Sequence, residues 1–156
     1  MGLDKTNNQI RDVIITNLKQ IIDERGAVFH IMRKDSHTFN GFGEAYISKI
    51  NHKVIKGWKF HKKMKQNFTV VFGSMKLVLY DDRKNSPTFG EINEIYLNDS
   101  NNYCRVTIPE KIWYSFQGLS NESCLLVNIA NIQHDPNECI NLDLENSKIP
   151  YNWQLS

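Results

Sequence analysis

The chain has 156 residues, of which 19 are Lys or Arg and 17 are Asp or Glu, giving a formal net charge of +2. This length predicts one domain, residues 1–156, and the hydrophobic fraction of 40% excludes global disorder. No apolar run approaches the ~18 residues that a membrane-spanning helix needs, and no apolar secretory segment follows the N-terminus, so we expect a cytoplasmic protein without membrane insertion.

The hydrophobic pattern has a period of two along most of the chain, which predicts strands rather than helices. Turn-forming residues recur at short intervals between the apolar segments, and this spacing is typical of an all-β sandwich or barrel. The predicted strands cover residues 13–18, 27–33, 45–50, 54–60, 68–72, 75–80, 92–97, 104–108 and 124–130.

Two of these strands, residues 68–72 and 75–80, are separated only by Gly73 and Ser74. Glycine at the first position of a two-residue loop indicates a type II′ turn, which joins paired antiparallel strands. The spacing therefore predicts a β-hairpin at this point.

The last segment, residues 131–156, is polar at first and then ends in an apolar cluster at residues 149–153. Apolar side chains at the end of a chain need a surface to cover them. We therefore expect residues 131–156 to form a tail that packs back on the barrel.

A lysine-rich segment between residues 52 and 65 contains six lysines and two histidines. Three interpretations compete: a solvated basic face, a nucleic-acid groove or a pocket for phosphate. Because side chains alternate along a strand, only half of these lysines can share one face. This alternation argues against a nucleic-acid partner.

Residues 56–61 (KGWKFH), followed by residues 68–73 and 108–114, have the spacing of the two cupin motifs. Cupins are double-stranded β-helices, or jelly rolls. Their usual metal ligands are two histidines, a carboxylate and a later histidine, and here only His61 remains, with Lys59, Tyr114 and either Gln66 or Asn67 at the other positions. The three cysteines have no metal-ligand spacing either. We therefore expect neither a metal nor another cofactor.

Seven short blocks in order resemble the dTDP-4-dehydrorhamnose 3,5-epimerase family of nucleotide-sugar cupins. They are residues 23–26 (DERG), 41–46 (GFGEAY), 56–58 (KGW), 80–83 (YDDR), 86–91 (SPTFGE), 108–109 (IP) and 149–153 (IPYNW). The resemblance implies a homodimeric, metal-independent epimerase or isomerase. Its substrate would be a dTDP-linked 4-keto-6-deoxy sugar used in deoxysugar and polysaccharide biosynthesis.

Such a reaction makes definite demands on side chains. The 4-keto group makes the C3 and C5 protons acidic, so the enzyme needs a base, a stabiliser for the enolate and an acid on the other face. The diphosphate needs cations. The resemblance implies that Arg25 and Lys56 contact the diphosphate, and we add Trp58 and Asn67 as expected substrate-binding residues.

The sequence departs from the family at the positions that carry the chemistry. Lys59 stands where the family has its catalytic histidine, and Tyr114 stands where it has the second-motif histidine. The family's catalytic tyrosine falls on Val127, and its orienting aspartate falls near Asn146. We therefore predict that Lys59, His61 and Tyr114 form the proton-transfer set.

Lys56 and Lys59 have opposite parity on a regular strand, so only one of them would face the interior. Glycine within a strand often marks a bulge or bend. For both lysines to reach one ligand, the strand must bend or bulge at Gly57.

Two alternative functions remain open at this point. His61, Lys62 and Lys63, followed by Gln66, also resemble the dTDP-4-keto-6-deoxyhexose 3,4-ketoisomerases. The loss of the usual base and acid is also compatible with a non-catalytic cupin that binds a nucleotide sugar or has a structural role.

Overall fold

The computed structural model describes residues 9–154, and within this range all regular elements are strands. No helix in the described part of the chain could cross a membrane. The strands are β1 (Ile14–Asn17), β2 (Gln20–Asp23), β3 (Gly26–Phe29), β4 (Glu44–Ile50), β5 (Ile55–His61), β6 (Gln66–Phe72), β7 (Ser74–Asp81), β8 (Ile92–Asn98), β9 (Cys104–Ile108), β10 (Ile112–Gly118), β11 (Cys124–Ala130) and β12 (Cys139–Asn141).

Two five-stranded antiparallel sheets form the body of the protein. The first sheet has the order β1-β9-β6-β11-β4, and the second has the order β12-β5-β10-β7-β8. Consecutive strands in the chain repeatedly lie in different sheets, as in a jelly roll. The predicted all-β cupin fold is therefore confirmed.

The core lies between the two sheets, where alternate side chains of each strand point inward. Phe68 and Val70 of β6 meet Leu77 and Leu79 of β7, and all four are at most 2% exposed. Burying apolar side chains of this size stabilises the fold by roughly 1.5–3 kcal/mol each. This shared core holds the two sheets at the distance that forms the cavity described below.

A second apolar cluster covers the outer face of the second sheet. Trp58 and Trp113, whose neighbours in sequence point inward, join Ile149 and Trp153 of the tail there. The Trp153 Nε1 atom donates a hydrogen bond of 2.9 Å to Ser115 Oγ. Residues 139–153 thus lie across this sheet, partly as strand β12 paired with β5.

The predicted hairpin at Gly73 is wrong. Strand β6 pairs with β9 and β11, whereas β7 pairs with β8 and β10, so the turn carries the chain from one sheet to the other. Gly73 does adopt a φ of +78°, and a Cβ atom there would lie 2.5 Å from Ser120 Oγ. The glycine is therefore needed for a sharp turn, but the turn does not join paired strands.

Strands β2 and β3 pair only with each other and form a hairpin outside both large sheets. The predicted strand over residues 27–33 ends at Phe29, and β2 was not predicted. Three of the hairpin's apolar side chains, Ile21, Ile22 and Val28, are 56%, 71% and 59% exposed. An isolated two-stranded hairpin is marginally stable in water, so a ribbon of this kind gains stability by packing its apolar side chains against a further surface.

Candidate active site

A cavity of about 130 Å³ opens between the two sheets. The first sheet contributes one wall and the second sheet the other. The lining side chains are Tyr46, Ser48, Phe68 and Leu126 on the first sheet, and Lys56, Gly57, Lys59, Tyr114 and Phe116 on the second. Phe68, Phe116 and Leu126 thus supply apolar surface, and two lysines, two tyrosines and Ser48 supply the polar groups.

A β-bulge in β5 brings both lysines to this cavity. Lys59 lies opposite Tyr114 and Gly57 lies opposite Ser115, so Trp58 is an extra residue in β5. Gly57 has a φ of +119°, and a Cβ atom there would lie 2.6 Å from Ser115 Cβ. The bend predicted at Gly57 is confirmed, and it allows Lys56 and Lys59 to line the same cavity.

Behind Tyr114 lies a buried chain of hydrogen bonds. His61 Nδ1 bonds Glu138 Oε1, and His61 Nε2 lies 3.2 Å from the Tyr114 hydroxyl. Gln66 Nε2 donates to the same hydroxyl at 3.2 Å. All four side chains are at most 7% exposed. Because a carboxylate only accepts hydrogen bonds, His61 Nδ1 carries a hydrogen and Nε2 is an acceptor, with the Tyr114 hydroxyl at 3.2 Å and the Gln66 amide nitrogen at 3.3 Å.

Burial has different net effects on the pKa values of Tyr114 and Glu138, which lie at the two ends of this hydrogen-bonded chain. Burial raises the pKa of Tyr114 strongly, so the phenol is neutral until a base takes its proton. Burial also raises the pKa of Glu138, but hydrogen bonds from His61 and from the Lys63 and Met64 backbone amides outweigh it and hold this pKa below its usual value. An ionised Glu138 therefore stabilises the positive charge that His61 gains when it accepts a proton.

Tyr46 stands on the opposite wall, on β4. Its hydroxyl accepts a hydrogen bond of 2.9 Å from Asn128 Nδ2, and the Asn128 side chain is fully buried. Tyr46 itself is 42% exposed. The cavity thus has one accessible phenol and one buried phenol.

Four of the predicted site residues come together. Lys56, Lys59 and Tyr114 line the cavity, and His61 lies directly behind Tyr114. Lys56 and Lys59 are exposed, and Lys56 Nζ reaches the backbone oxygen of Lys49 in the first sheet at 3.3 Å. Two cations therefore flank the entrance.

Three other predicted residues do not reach the cavity. Strand alternation places Trp58 in the outer cluster and turns Asn67 away, where its amide bonds Thr107 and the backbone of Ile129. Arg25 lies in the exposed β2–β3 hairpin and pairs with Asp23 at 2.6 Å. Gln66, one position before Asn67, is the amide that meets Tyr114.

Sequence reasoning also missed two residues, Tyr46 and Glu138. Tyr46 is the last residue of one of the seven sequence blocks and lies in a predicted strand. This position was the signal that could have identified it as a site residue. Glu138 follows a polar stretch, and nothing in its neighbourhood indicates that it meets His61, 77 positions earlier. Asn146, near the position of the family's aspartate, instead accepts the backbone amides of Lys148 and Ile149.

Within residues 9–154, no three His, Cys, Asp or Glu side chains come close enough to share a metal ion. A larger cleft of about 530 Å³ lies on the outer face of the second sheet beside Lys76 and Trp153, and none of the predicted site residues lines it. The side chains that line the main cavity or lie directly behind it can transfer protons, and the lysine ammonium groups can stabilise negative charge.

Comparisons with known proteins agree over more than nine-tenths of the chain. A family model described as dTDP-4-dehydrorhamnose 3,5-epimerase matches residues 7–156. The crystal structure of a dTDP sugar isomerase from Desulfovibrio desulfuricans is similar, with a TM-score of 0.90 and 35% identity, over 92% of each chain. The probable low-salt glycan biosynthesis epimerase Agl13 of Haloferax volcanii is 28% identical over 91% of this chain and 88% of its own length. The spore coat polysaccharide biosynthesis protein SpsL of Bacillus subtilis is 25% identical over 92% of this chain and 96% of its own length.

Proposed function

The chain belongs to the dTDP-4-dehydrorhamnose 3,5-epimerase family, and from this we propose that it epimerises a dTDP-linked 4-keto-6-deoxy sugar without a metal, for polysaccharide biosynthesis. The observation that carries the proposal is the buried chain from Glu138 through His61 to Tyr114, which ends at a cavity flanked by two lysines. We place the reaction in the cytoplasm, where the nucleoside triphosphates that supply nucleotide sugars are found.

Tyr114 is the group that takes the proton from the sugar. Its hydroxyl passes its own hydrogen to His61 Nε2 and accepts the proton next to the ketone, while the C–H electron pair moves into the enolate. Glu138, hydrogen-bonded to His61 Nδ1, orients the imidazole and stabilises the imidazolium. In this scheme His61 is the base, and Tyr114 carries the proton from the sugar in the cavity to His61.

The two lysines bind negative charge. Lys59 lies opposite Tyr114 in the neighbouring strand, so its ammonium can reach the enolate oxygen that forms beside Tyr114. Lys56, whose ammonium bonds the Lys49 backbone oxygen of the first sheet, is suited to the diphosphate. Lys59, predicted as a member of the proton-transfer set, thus acts in this scheme by its charge.

Arg25 and the homodimer are proposed together. The exposed apolar ribbon of β2 and β3 is suited to pack against a second copy of the chain, and Arg25 lies at its turn. Because Arg25 does not line the cavity of its own protomer, it would contact a diphosphate only in the cavity of a partner subunit. Trp58 and Asn67 would support the walls from behind.

A heavy-water experiment tests the function. Incubated with dTDP-4-keto-6-deoxyglucose in deuterium oxide, the protein should incorporate deuterium at C3 or C5 and form an epimer. His61→Gln should abolish the incorporation, and Glu138→Gln should slow it by about 10²–10⁴-fold, the usual contribution of acid–base groups. His134→Asn, which changes an exposed histidine away from the cavity, is the control and should leave the rate unchanged.

Each alternative has its own outcome in this experiment. Binding of dTDP without incorporation at high protein concentration would support the non-catalytic cupin and refute the epimerase. A product with its keto group moved to C3 would support the ketoisomerase. Full activity of the His61→Gln variant would refute the assignment of the base.

A further inference from the structure

We propose that Tyr46 is a catalytic residue of this site and that its phenol delivers a proton to the sugar face opposite Tyr114. The proposal rests on the proposed function and assigns the missing acid of the reaction. The position at which the family resemblance places a catalytic tyrosine holds Val127, which has no hydroxyl, and Tyr46 is the phenol besides Tyr114 that lines the cavity.

The placement of Tyr46 fits inversion. Lys59, His61 and Tyr114 all belong to strands of the second sheet, whereas Tyr46 belongs to β4 of the first sheet. A sugar held in the cavity between the sheets therefore has Tyr114 on one side and Tyr46 on the other. Epimerisation requires that one face lose a proton and the opposite face gain one.

The hydrogen bonds of Tyr46 leave its own hydrogen available. Asn128 Nδ2 donates to the phenol oxygen at 2.9 Å, and a further contact from Gln66 also favours the negatively charged oxygen. Within residues 9–154 no acceptor is bonded to the hydroxyl hydrogen. Burial still raises the pKa of Tyr46 above its ordinary value, so the phenol is protonated at neutral pH.

The surroundings also explain why β4 supplies this group. Val127 of β11 points to the outer face, whereas Asn128 points inward and lies directly opposite Tyr46 in the ladder. The Asn128 amide fixes the phenol against the cavity. Tyr46 is 42% exposed, whereas Tyr114 is 3% exposed, so Tyr46 can regain a proton from solvent after each turnover.

The proton balance closes without another reactant. One C–H bond of the sugar breaks and its proton passes to the Tyr114–His61 chain, while the electron pair stays on the sugar as the enolate. A new C–H bond forms on the other face with the proton of Tyr46. The Tyr46 phenolate then takes a proton from water, and the imidazolium releases the proton taken from the sugar, through Tyr114, to the hydroxide that remains, so that the site and the solvent return to their starting states.

The test compares Tyr46→Phe with Tyr96→Phe, which removes a phenol on β8 outside the cavity. With dTDP-4-keto-6-deoxyglucose in deuterium oxide, Tyr46→Phe should form the inverted product at least about 10²-fold more slowly, while exchange with retained configuration continues. Calorimetric affinity for dTDP should change less than about twofold, and Tyr96→Phe should match the parent protein in every measurement.

Two results would overturn the assignment. One is inverted product from Tyr46→Phe at the parent rate. The other is loss of exchange and inversion together with dTDP binding intact, which would place Tyr46 on the abstracting side. Failure of the proposed function itself is distinct, because the parent protein would then show no exchange at all.

Discussion

Asp81 on β7 is a buried charged residue outside the cavity, and hydrogen bonds stabilise its carboxylate. Its carboxylate is fully buried and accepts hydrogen bonds from Arg83, Ser86 and Thr88 at 2.7–2.9 Å. Burial raises its pKa, but these bonds outweigh burial and lower the pKa to about 2. The block SPTFGE, which marked the family in the sequence, thus contributes to a structural network at the β7–β8 connection.

This network predicts a pH dependence of stability. Because the folded pKa of Asp81 lies below the unfolded value, its stabilisation is complete above about pH 4 and is lost as the pH falls to about 2, a change of about 2 kcal/mol. In urea unfolding at pH 5 and pH 2, Asp81→Asn should lose this part of the pH dependence. Asp143→Asn, at an exposed position, should keep the parent dependence, and an unchanged slope in Asp81→Asn would contradict the prediction.

Single residues could be predicted where a motif and the strand period agree. Lys59 and His61 share parity within one motif, and the structure places both toward the interior. The motif pattern predicts Trp58 and Asn67 at the site, but strand alternation turns both side chains away from the cavity. Glu138 could not be predicted, since only the folded tail brings it to His61.

At the scale of one element, the bulge in β5 joins fold and site. Gly57→Ala should destabilise the protein by about 1–3 kcal/mol, because the new Cβ would lie 2.6 Å from Ser115 Cβ and push β5 away from β10. It should also weaken dTDP binding, because Lys56 and Lys59 flank the displaced glycine. Denaturant unfolding and calorimetry measure the two effects.

Gly90→Ala is the matched control for this change. Gly90 also has a positive φ, +85°, but a Cβ atom there meets nothing within 4 Å. The Gly90→Ala variant should therefore lose only the stability that the backbone strain costs, and its affinity for dTDP should equal that of the parent protein. Equal losses in both variants would mean that the contact with Ser115 is unimportant.

Strand prediction failed where burial on both faces removes the two-residue hydrophobic period. The prediction of pairing failed where the paired strands are distant in sequence. Strand β10 is buried on nearly every residue because the inner core covers one face and the outer cluster the other, so it shows no alternation. The turn at Gly73 has the chemistry of a hairpin, yet the jelly roll separates its strands into two sheets. Local sequence predicts a turn, and the partner of each strand depends on the whole chain.

For the whole molecule, the exposed hairpin predicts the assembly. The parent protein should be a dimer in light scattering after size exclusion, and Ile22→Asp should shift it to a monomer because a carboxylate would be buried in the interface. Phe89→Asp changes another exposed apolar side chain, in the β7–β8 connection, and should remain dimeric. A monomeric parent protein, or a dimeric Ile22→Asp variant, would refute the role of the hairpin.

Glu138 lies just before β12, so the hydrogen-bonded chain behind Tyr114 depends on the packing of the C-terminal part of the fold. Every residue that lines the cavity precedes Glu138 in the chain, and the carboxylate that completes the proton chain arrives with the segment that closes the outer face through Trp153. The cavity walls and the carboxylate that orients His61 therefore come from different parts of the chain, and the packing of the C-terminal segment brings them together.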